Sequence, residues 1–291
     1  MSATGPEHRI AGVYVAAVTP FRDDAARSVD VDAYLAHADW LARKGVTGIV
    51  AFGTNGEGPS VTTREKLDVL RELFAARPGI QVVPTVAEAT LPDTLEMLAA
   101  LEEEPAAAVM VLPPYFFKPV APAGLLDFFE PVVEAARHPV VLYHIPRYAI
   151  PVPVEVVAAL PAWGVKDSGE DHAYARAVLD AGRGVLVGTE DDLHGRLRSG
   201  AQGVVSGLAN VAPEAVVGVF EAVRDGDAER GAALSSRLRR LRDACPSPAA
   251  RKRLASLRSG TDLGTVRPPL RPVPADDTLL ALVHEIEAAV A

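Results

Sequence analysis

From about residue 10 to residue 226 the chain alternates between two patterns. Short apolar runs rich in β-branched residues are separated by longer segments whose apolar positions recur at helical spacing. The runs at 12–18 (GVYVAAV), 47–52, 80–84, 107–111, 139–143, 162–166, 184–188 and 203–206 predict strands. The segments at 30–44, 62–76, 91–103, 123–136, 153–159, 171–181, 190–199 and 213–225 predict helices. Continuous rather than alternating apolar strands imply burial on both faces, hence a parallel sheet. Eight β/α units joined by right-handed crossovers close into a (β/α)8 TIM barrel. A doubly wound sheet would use fewer units and carry a phosphate fingerprint after strand one. Here strand one runs into Val18-Thr19-Pro20-Phe21, which no dinucleotide site would use.

Beyond residue 226 the pattern is purely helical, at 227–244, 249–258 and 277–290. The last two helices are separated by Val266-Arg267-Pro268-Pro269-Leu270-Arg271-Pro272, whose prolines favour an extended strap. The expectation is a single domain over 1–291, with a barrel at about 10–226 and a C-terminal three-helix extension at about 227–291.

A length of 291 residues suits one α/β barrel. With 49% hydrophobic and 23% charged residues, the composition is that of a soluble globular protein. The net charge of −9, with basic runs confined to Arg237–Arg242 and Arg251-Lys252-Arg253, argues against a nucleic-acid partner. The single cysteine, Cys245, allows no internal disulfide and fits a reducing cytoplasm, the expected location. There is no charged-then-apolar leader and no apolar run of about twenty residues, so neither export nor membrane spanning is expected.

Candidate chemistry lies where strands end, because functional residues of such barrels gather at the C-terminal mouth. Those positions hold Thr19, Gly53-Thr54-Asn55-Gly56-Glu57-Gly58, Pro113-Pro114-Tyr115, Tyr143, Lys166, Gly188-Thr189-Glu190 and Ser206-Gly207. Of the five lysines (44, 66, 118, 166 and 252), only Lys166 closes a strand-like run. Lys44 and Lys66 read as helix-surface positions, Lys118 as a loop and Lys252 as part of a basic helix. Burying an amine disfavours its charged form, and a neutral amine can attack a carbonyl to form an imine. A lysine snorkelling to solvent is the alternative. Tyr143, ending the preceding strand, could move a proton near the imine carbon or simply cap the core. The Gly53–Gly58 turn precedes a capping box, Thr62-Thr63-Arg64-Glu65, and fits either a small carboxylate or a plain glycine turn. His144 should point away from Tyr143, outside the barrel. The run Glu190-Asp191-Asp192 reads most simply as a cap for helix seven. The histidines show neither HxH nor HExxH spacing, so no metal site is expected.

Together these residues resemble the pyruvate-dependent class I aldolase family, which includes dihydrodipicolinate synthase, N-acetylneuraminate lyase and the 2-keto-3-deoxy-sugar-acid aldolases. The matching segments are Gly53–Glu57, Tyr143-His144-Ile145-Pro146, Gly164–Ser168 and Gly200–Asn210, with the opening Val18–Phe21 and the late Val266–Leu270. The resemblance implies a Schiff base between Lys166 and pyruvate or a 2-keto acid, with no metal or other cofactor. It implies carboxylate binding by Thr54 and Asn55 in the turn that Gly53 opens, and proton transfer by Tyr143. It implies a small-molecule keto acid and an aldehyde as partners, and a homotetramer built as a dimer of dimers.

Departures bear on the substrate. The residue after Tyr115 is Phe116, where the synthases carry a second tyrosine. Arg147 stands one place earlier than their substrate-binding arginine, and His144 replaces an asparagine. A catabolic aldolase or lyase acting on a 2-keto-3-deoxy sugar acid is therefore expected ahead of condensation with aspartate semialdehyde. A keto-acid dehydratase and a non-catalytic keto-acid-binding relative stand as alternatives, and a metal-dependent aldolase as a weaker one. Arg147, Tyr148, Tyr115, Thr189, Glu190 and Ser206 are the candidate specificity residues.

Overall fold

Eight parallel strands pair in chain order and close on themselves, β1 against β8. They are β1 (Gly12–Ala16), β2 (Gly48–Ala51), β3 (Gln81–Val86), β4 (Val109–Val111), β5 (Val140–His144), β6 (Gly164–Asp167), β7 (Gly184–Val187) and β8 (Gly203–Ser206). Between and after them run α1 (Val31–Ala42), α2 (Thr63–Ala76), α3 (Leu91–Ala100), α4 (Pro122–Ala135), α5 (Val154–Ala159), α6 (His172–Asp180), α7 (Leu193–Arg198) and α8 (Pro213–Asp225). The fold is the (β/α)8 barrel expected from the periodicity. This computed structural model describes residues 10–76, 79–274 and 277–288.

Strand parity divides the core in two. Tyr14, Ala16, Val50, Val83, Met110, Val141, Tyr143, Leu186 and Val205 pack together inside the barrel. Alternate strand residues, such as Val13, Val15, Ile49, Leu142 and Val165, pack outward against the helices. Both faces of each strand are therefore apolar, as burial on two sides demands. The same parity turns Thr85 of β3 and Lys166 of β6 inward at the mouth end.

Two boundaries differ from the sequence reading in ways that matter. β3 does not end at Pro84 but runs to Val86. Pro84 removes one donor from the ladder, yet Thr85 and Val86 still pair with Met110 and Val111 of β4. Helix seven begins at Leu193 rather than 190, because Asp192 is its N-cap and accepts from the Gly195 N–H at 3.1 Å. Elsewhere the elements agree to within a few residues; positions 289 and 290 of the expected last helix lie outside the described residues.

Two lysines were misplaced. Lys66 is not on the helix surface: it is buried and pairs with Glu88 at 2.8 Å. Lys252 is also buried, 1% exposed, and pairs with Glu57 at 2.5 Å. Each ammonium is on the inner face of a helix whose visible sequence is basic or mixed, so charge pattern alone hid its partner.

Three further helices, α9 (Ala228–Ala244), α10 (Pro248–Ser259) and α11 (Asp277–Ala288), follow the barrel. α9 packs along α8, and α10 meets the 3-10 turn at Leu208–Asn210 after β8. The strap after α10 is tied down by Arg267. Its guanidinium donates to both Glu65 oxygens (2.6 and 3.0 Å), to the Ser60 carbonyl at 2.7 Å and to the Arg27 carbonyl. Glu65 also closes the expected capping box, accepting from the Thr62 N–H at 2.9 Å. The C-terminal segment is thus fastened to the mouth of the barrel. Among the described residues no helix is long and apolar enough to cross a membrane.

Candidate active site

Lys166 and Tyr143 are level with each other across β5 and β6. Both face the barrel axis and both are buried, Lys166 to 5% exposure. The Lys166 Nζ lies 4.0 Å from the centroid of the Tyr143 ring. The Tyr143 hydroxyl in turn lies 3.0 Å from Thr54 Oγ1, a hydrogen bond in which either oxygen can donate. Room for the lysine comes from the residue just after β7: a Cβ on Gly188 would come within 2.7 Å of Lys166 Cε and 2.2 Å of Ser168 Oγ. Glycine at this position lets the aliphatic stem pass.

Thr54 is carried by a tightly folded turn. Phe52 and Glu57, at φ of 60° and 53°, occupy the left-handed region that large side chains rarely adopt. The Gly58 N–H donates to the Gly53 carbonyl at 3.1 Å, and a Cβ on Gly58 would strike the Phe52 carbonyl. Surrounding contacts hold this backbone in place. Thr19 Oγ1 donates to the Gly56 carbonyl at 2.5 Å. The Glu57 carboxylate receives Lys252 Nζ on one oxygen and the Arg267 N–H, at 2.9 Å, on the other. Asn55 Oδ1 accepts from Arg251 of α10 at 3.0 Å. Burial pulls the Lys252 ammonium down to about 8, against the opposing pull of Glu57.

Above these groups opens a cavity of about 410 Å³. Gly53, Thr54, Thr85 and Tyr143 line it, as do Tyr115 and Tyr148 from the loops after β4 and β5. Pro269 and Leu270 of the strap form part of the same wall. This is within the size range of small-molecule sites.

The structure therefore gathers Lys166, Tyr143, Thr54, Gly53, Tyr115 and Tyr148. The remaining sequence candidates are engaged elsewhere. Glu190 accepts from Ser206 Oγ at 2.6 Å and from the Leu208 N–H at 3.2 Å, in a buried network after β7 and β8. Thr189 Oγ1 donates to Asp191 at 3.1 Å. Arg147 is exposed, its guanidinium 5.4 Å from the Tyr148 ring centroid. His144 lies on the outer side of β5, stacked on Tyr174 at 3.9 Å, with Nδ1 accepting from the Val152 N–H; burial lowers its pKa. Asp167, next to Lys166, points outward to a buried ion pair with Arg196, and burial raises its carboxyl pKa against that pair. No group of three or more His, Cys, Asp or Glu side chains among the described residues is placed to hold a metal ion.

Four contributors escaped the sequence reading. Thr85 was hidden because the strand was ended at Pro84. Arg251 and Lys252 belong to a short basic run, and nothing local marks two of its members as contacts of a turn about 195 residues earlier. Gly188 stood among the strand-end residues, but its use depends on the path of the lysine.

The chain matches the dihydrodipicolinate synthetase family over residues 9–289. It is 35% identical to an uncharacterized DapA-like lyase of Halobacterium salinarum, over 91% of this chain and 90% of that protein. It is 30% identical to a 4-hydroxy-tetrahydrodipicolinate synthase of Anaplasma marginale, over 90% of this chain and 88% of that one. A crystal structure of a dihydrodipicolinate synthase superposes with a TM-score of 0.85 at 25% identity, covering 97% of this chain and all of the other. Barrel, mouth geometry and full-length similarity agree, and the chain belongs to the dihydrodipicolinate synthetase family.

Proposed function

We propose that this protein, a lyase by family, is a class I aldolase that makes or breaks a carbon–carbon bond between pyruvate and an aldehyde through an imine on Lys166. The observation that carries this reading is the stack of Lys166, Tyr143 and Thr54, of which the last two line the mouth cavity. A buried amine beside a phenol that is hydrogen-bonded to a threonine can attack a keto carbon and have its protons moved without bulk water. The Gly53–Gly58 turn offers backbone N–H groups and the Thr54 hydroxyl to the substrate carboxylate. The protonated imine acidifies C3 of pyruvate, which loses a proton to give the enamine. C3 then attacks the aldehyde carbon, the aldehyde oxygen takes up a proton, and hydrolysis of the imine returns the lysine. In the reverse direction the same bond breaks and pyruvate leaves.

Activating the carbonyl as an imine calls for no metal, so we expect a chelator to leave the rate unchanged. Phe116 and Phe117, 82% and 76% exposed and in edge contact with each other, support an interface with a second copy of this chain. Sedimentation of the Phe116→Ser/Phe117→Ser variant as a smaller species than wild type would bear this out. A reducing cytoplasmic setting suits the one cysteine, buried Cys245.

Condensation with aspartate semialdehyde ranks second. Phe116 has no hydroxyl, and Arg147 is directed at Tyr148 rather than into the cavity. The test is exchange of the C3 protons of pyruvate in D2O, which requires imine and enamine but no second substrate. Wild type should exchange them and Lys166→Ala should not; equal exchange by both would refute the reading.

A further inference from the structure

The cavity lined by Thr54 and Tyr143 is polar at its floor and apolar almost everywhere else. Thr54 and Tyr143 are bonded to each other there, and the only charged side chain in the lining, Glu57, is neutralised by Lys252. Around them stand Phe52, Ala87, Leu112, Ile145, Pro269 and Leu270. Tyr115 and Tyr148 add ring faces while staying partly exposed, so their hydroxyls can remain in water. No lysine or arginine lines this space. Arg147 stacks on Tyr148, Lys118 Nζ donates to the Tyr148 carbonyl at 3.1 Å, and Arg251 is bonded to Asn55.

The groups that sequence similarity offered for sugar hydroxyls are committed within the protein. Glu190 and Ser206 bond to each other, and Thr189 bonds to Asp191. Ser60, Tyr115 and Tyr148 also bring hydroxyls to the wall but are partly exposed, and one fully buried polar atom there is left over. Thr85 Oγ1, on a residue 1% exposed, has no hydrogen-bond partner, although its side chain faces the cavity beside Gly53 and Met110. Buried hydroxyls of native proteins are nearly always partnered, so an orphan in a binding cavity points to a ligand atom.

We propose that the aldehyde handled by this enzyme has an apolar body, aryl or alkyl, and carries its reacting oxygen as its one polar group. The inference rests on the imine reading above. An apolar body matches the wall formed by β4, the loop after β5 and the strap. Its single oxygen matches the fully buried hydroxyl of the lining that has no partner, Thr85. A polyol would set several hydroxyls against a wall that is mostly apolar, and a second carboxylate would meet no cation among the lining residues. The bond formed is C3 of pyruvate to the aldehyde carbon; C3 gives up one proton, and the aldehyde oxygen becomes a hydroxyl by taking up one. The product is a 4-hydroxy-2-oxo acid with an apolar terminus.

The test is a three-aldehyde panel with pyruvate and the full-length protein, following formation of the hydroxy-oxo acid. Benzaldehyde serves as the apolar probe, D-glyceraldehyde as the polyol and succinic semialdehyde as the carboxylate. Pyruvate C3 exchange is recorded on the same sample. A kcat/KM for benzaldehyde at least tenfold above both others supports the proposal. Equal or better use of glyceraldehyde or succinic semialdehyde, or exchange without any benzaldehyde product, overturns it while leaving the imine reading in place. Absence of exchange overturns both.

Discussion

The Lys166 ammonium nitrogen lies 4.0 Å from the centre of the Tyr143 ring because the two residues are register partners on adjacent strands. The barrel ladder holds the two backbones side by side. The far side of the same phenol is held by Thr54 at 3.0 Å. A proton carrier fixed at both ends suits transfer to and from an intermediate on Lys166. Tyr143→Phe should therefore lower turnover by about 10²–10⁴-fold while the variant still binds pyruvate. Thr54→Val loses a hydroxyl, and should raise KM for pyruvate by roughly fivefold, about 1 kcal/mol for one hydrogen bond. Steady-state kinetics of the two variants separate these effects; a Tyr143→Phe enzyme with wild-type turnover would rule out the phenol as proton carrier.

Gly188 sets the path of the lysine. A methyl group there would sit 2.7 Å from both Lys166 Cε and the Asp167 carbonyl and 2.2 Å from Ser168 Oγ, so Gly188→Ala must shift the end of β6 together with the amine. Misplacing a reacting group by about 1 Å costs on the order of 100-fold in rate. The expected result is a kcat lowered on that order in a protein whose circular dichroism matches wild type. Unchanged kcat would show that the space beside Gly188 is not needed.

The Lys252–Glu57 pair joins α10 to the turn that carries Thr54 and Asn55. Removing one partner of a buried pair typically costs about 3–5 kcal/mol, because the other charge remains buried, whereas replacing both is far less costly. Lys252→Met should lower unfolding stability by about that amount, and Lys252→Met/Glu57→Leu should recover more than half of the loss. Urea titration measures both; a double variant no more stable than the single would show that the pair is not coupled in this way.

Arg267 holds the Glu65 carboxyl well below its ordinary 4.5, at about 2. A carboxyl whose folded pKa is depressed adds stability that is complete above the unfolded value and disappears as pH falls through the folded one. The strap contact should thus weaken between about pH 4.5 and pH 2. Both groups are partly exposed, which limits the contribution to about 0.5–1 kcal/mol. The stability of Glu65→Gln should start lower by that amount at pH 7 and fall less steeply across this window. Parallel profiles for variant and wild type would contradict the assignment.

Much of this was legible in the chain because the barrel is written in period. Buried parallel strands are apolar at every position, so a polar residue at a strand end, such as Tyr143 or Lys166, is conspicuous. The alternation of strand faces also put His144 on the outside, where it stacks on Tyr174. What stayed hidden depends on distance in sequence. Lys252 and Arg251 look like a solvated basic run until α10 folds against the turn at 53–58. Lys66 looks like a surface residue until Glu88 meets it. Thr85 was cut off by Pro84, a local strand-breaking signal that pairing with β4 overrides. Glu190, Ser206 and Thr189 were rightly placed near strand ends, but only coordinates show that they bond within the chain.

Lys166 can be examined directly by mass spectrometry after incubation with pyruvate and borohydride. Reduction of an imine would leave one pyruvate-derived group fixed to the peptide containing Lys166, dependent on both reagents and absent from Lys166→Ala. An unmodified protein, or an adduct that persists in Lys166→Ala, would contradict imine formation at this lysine.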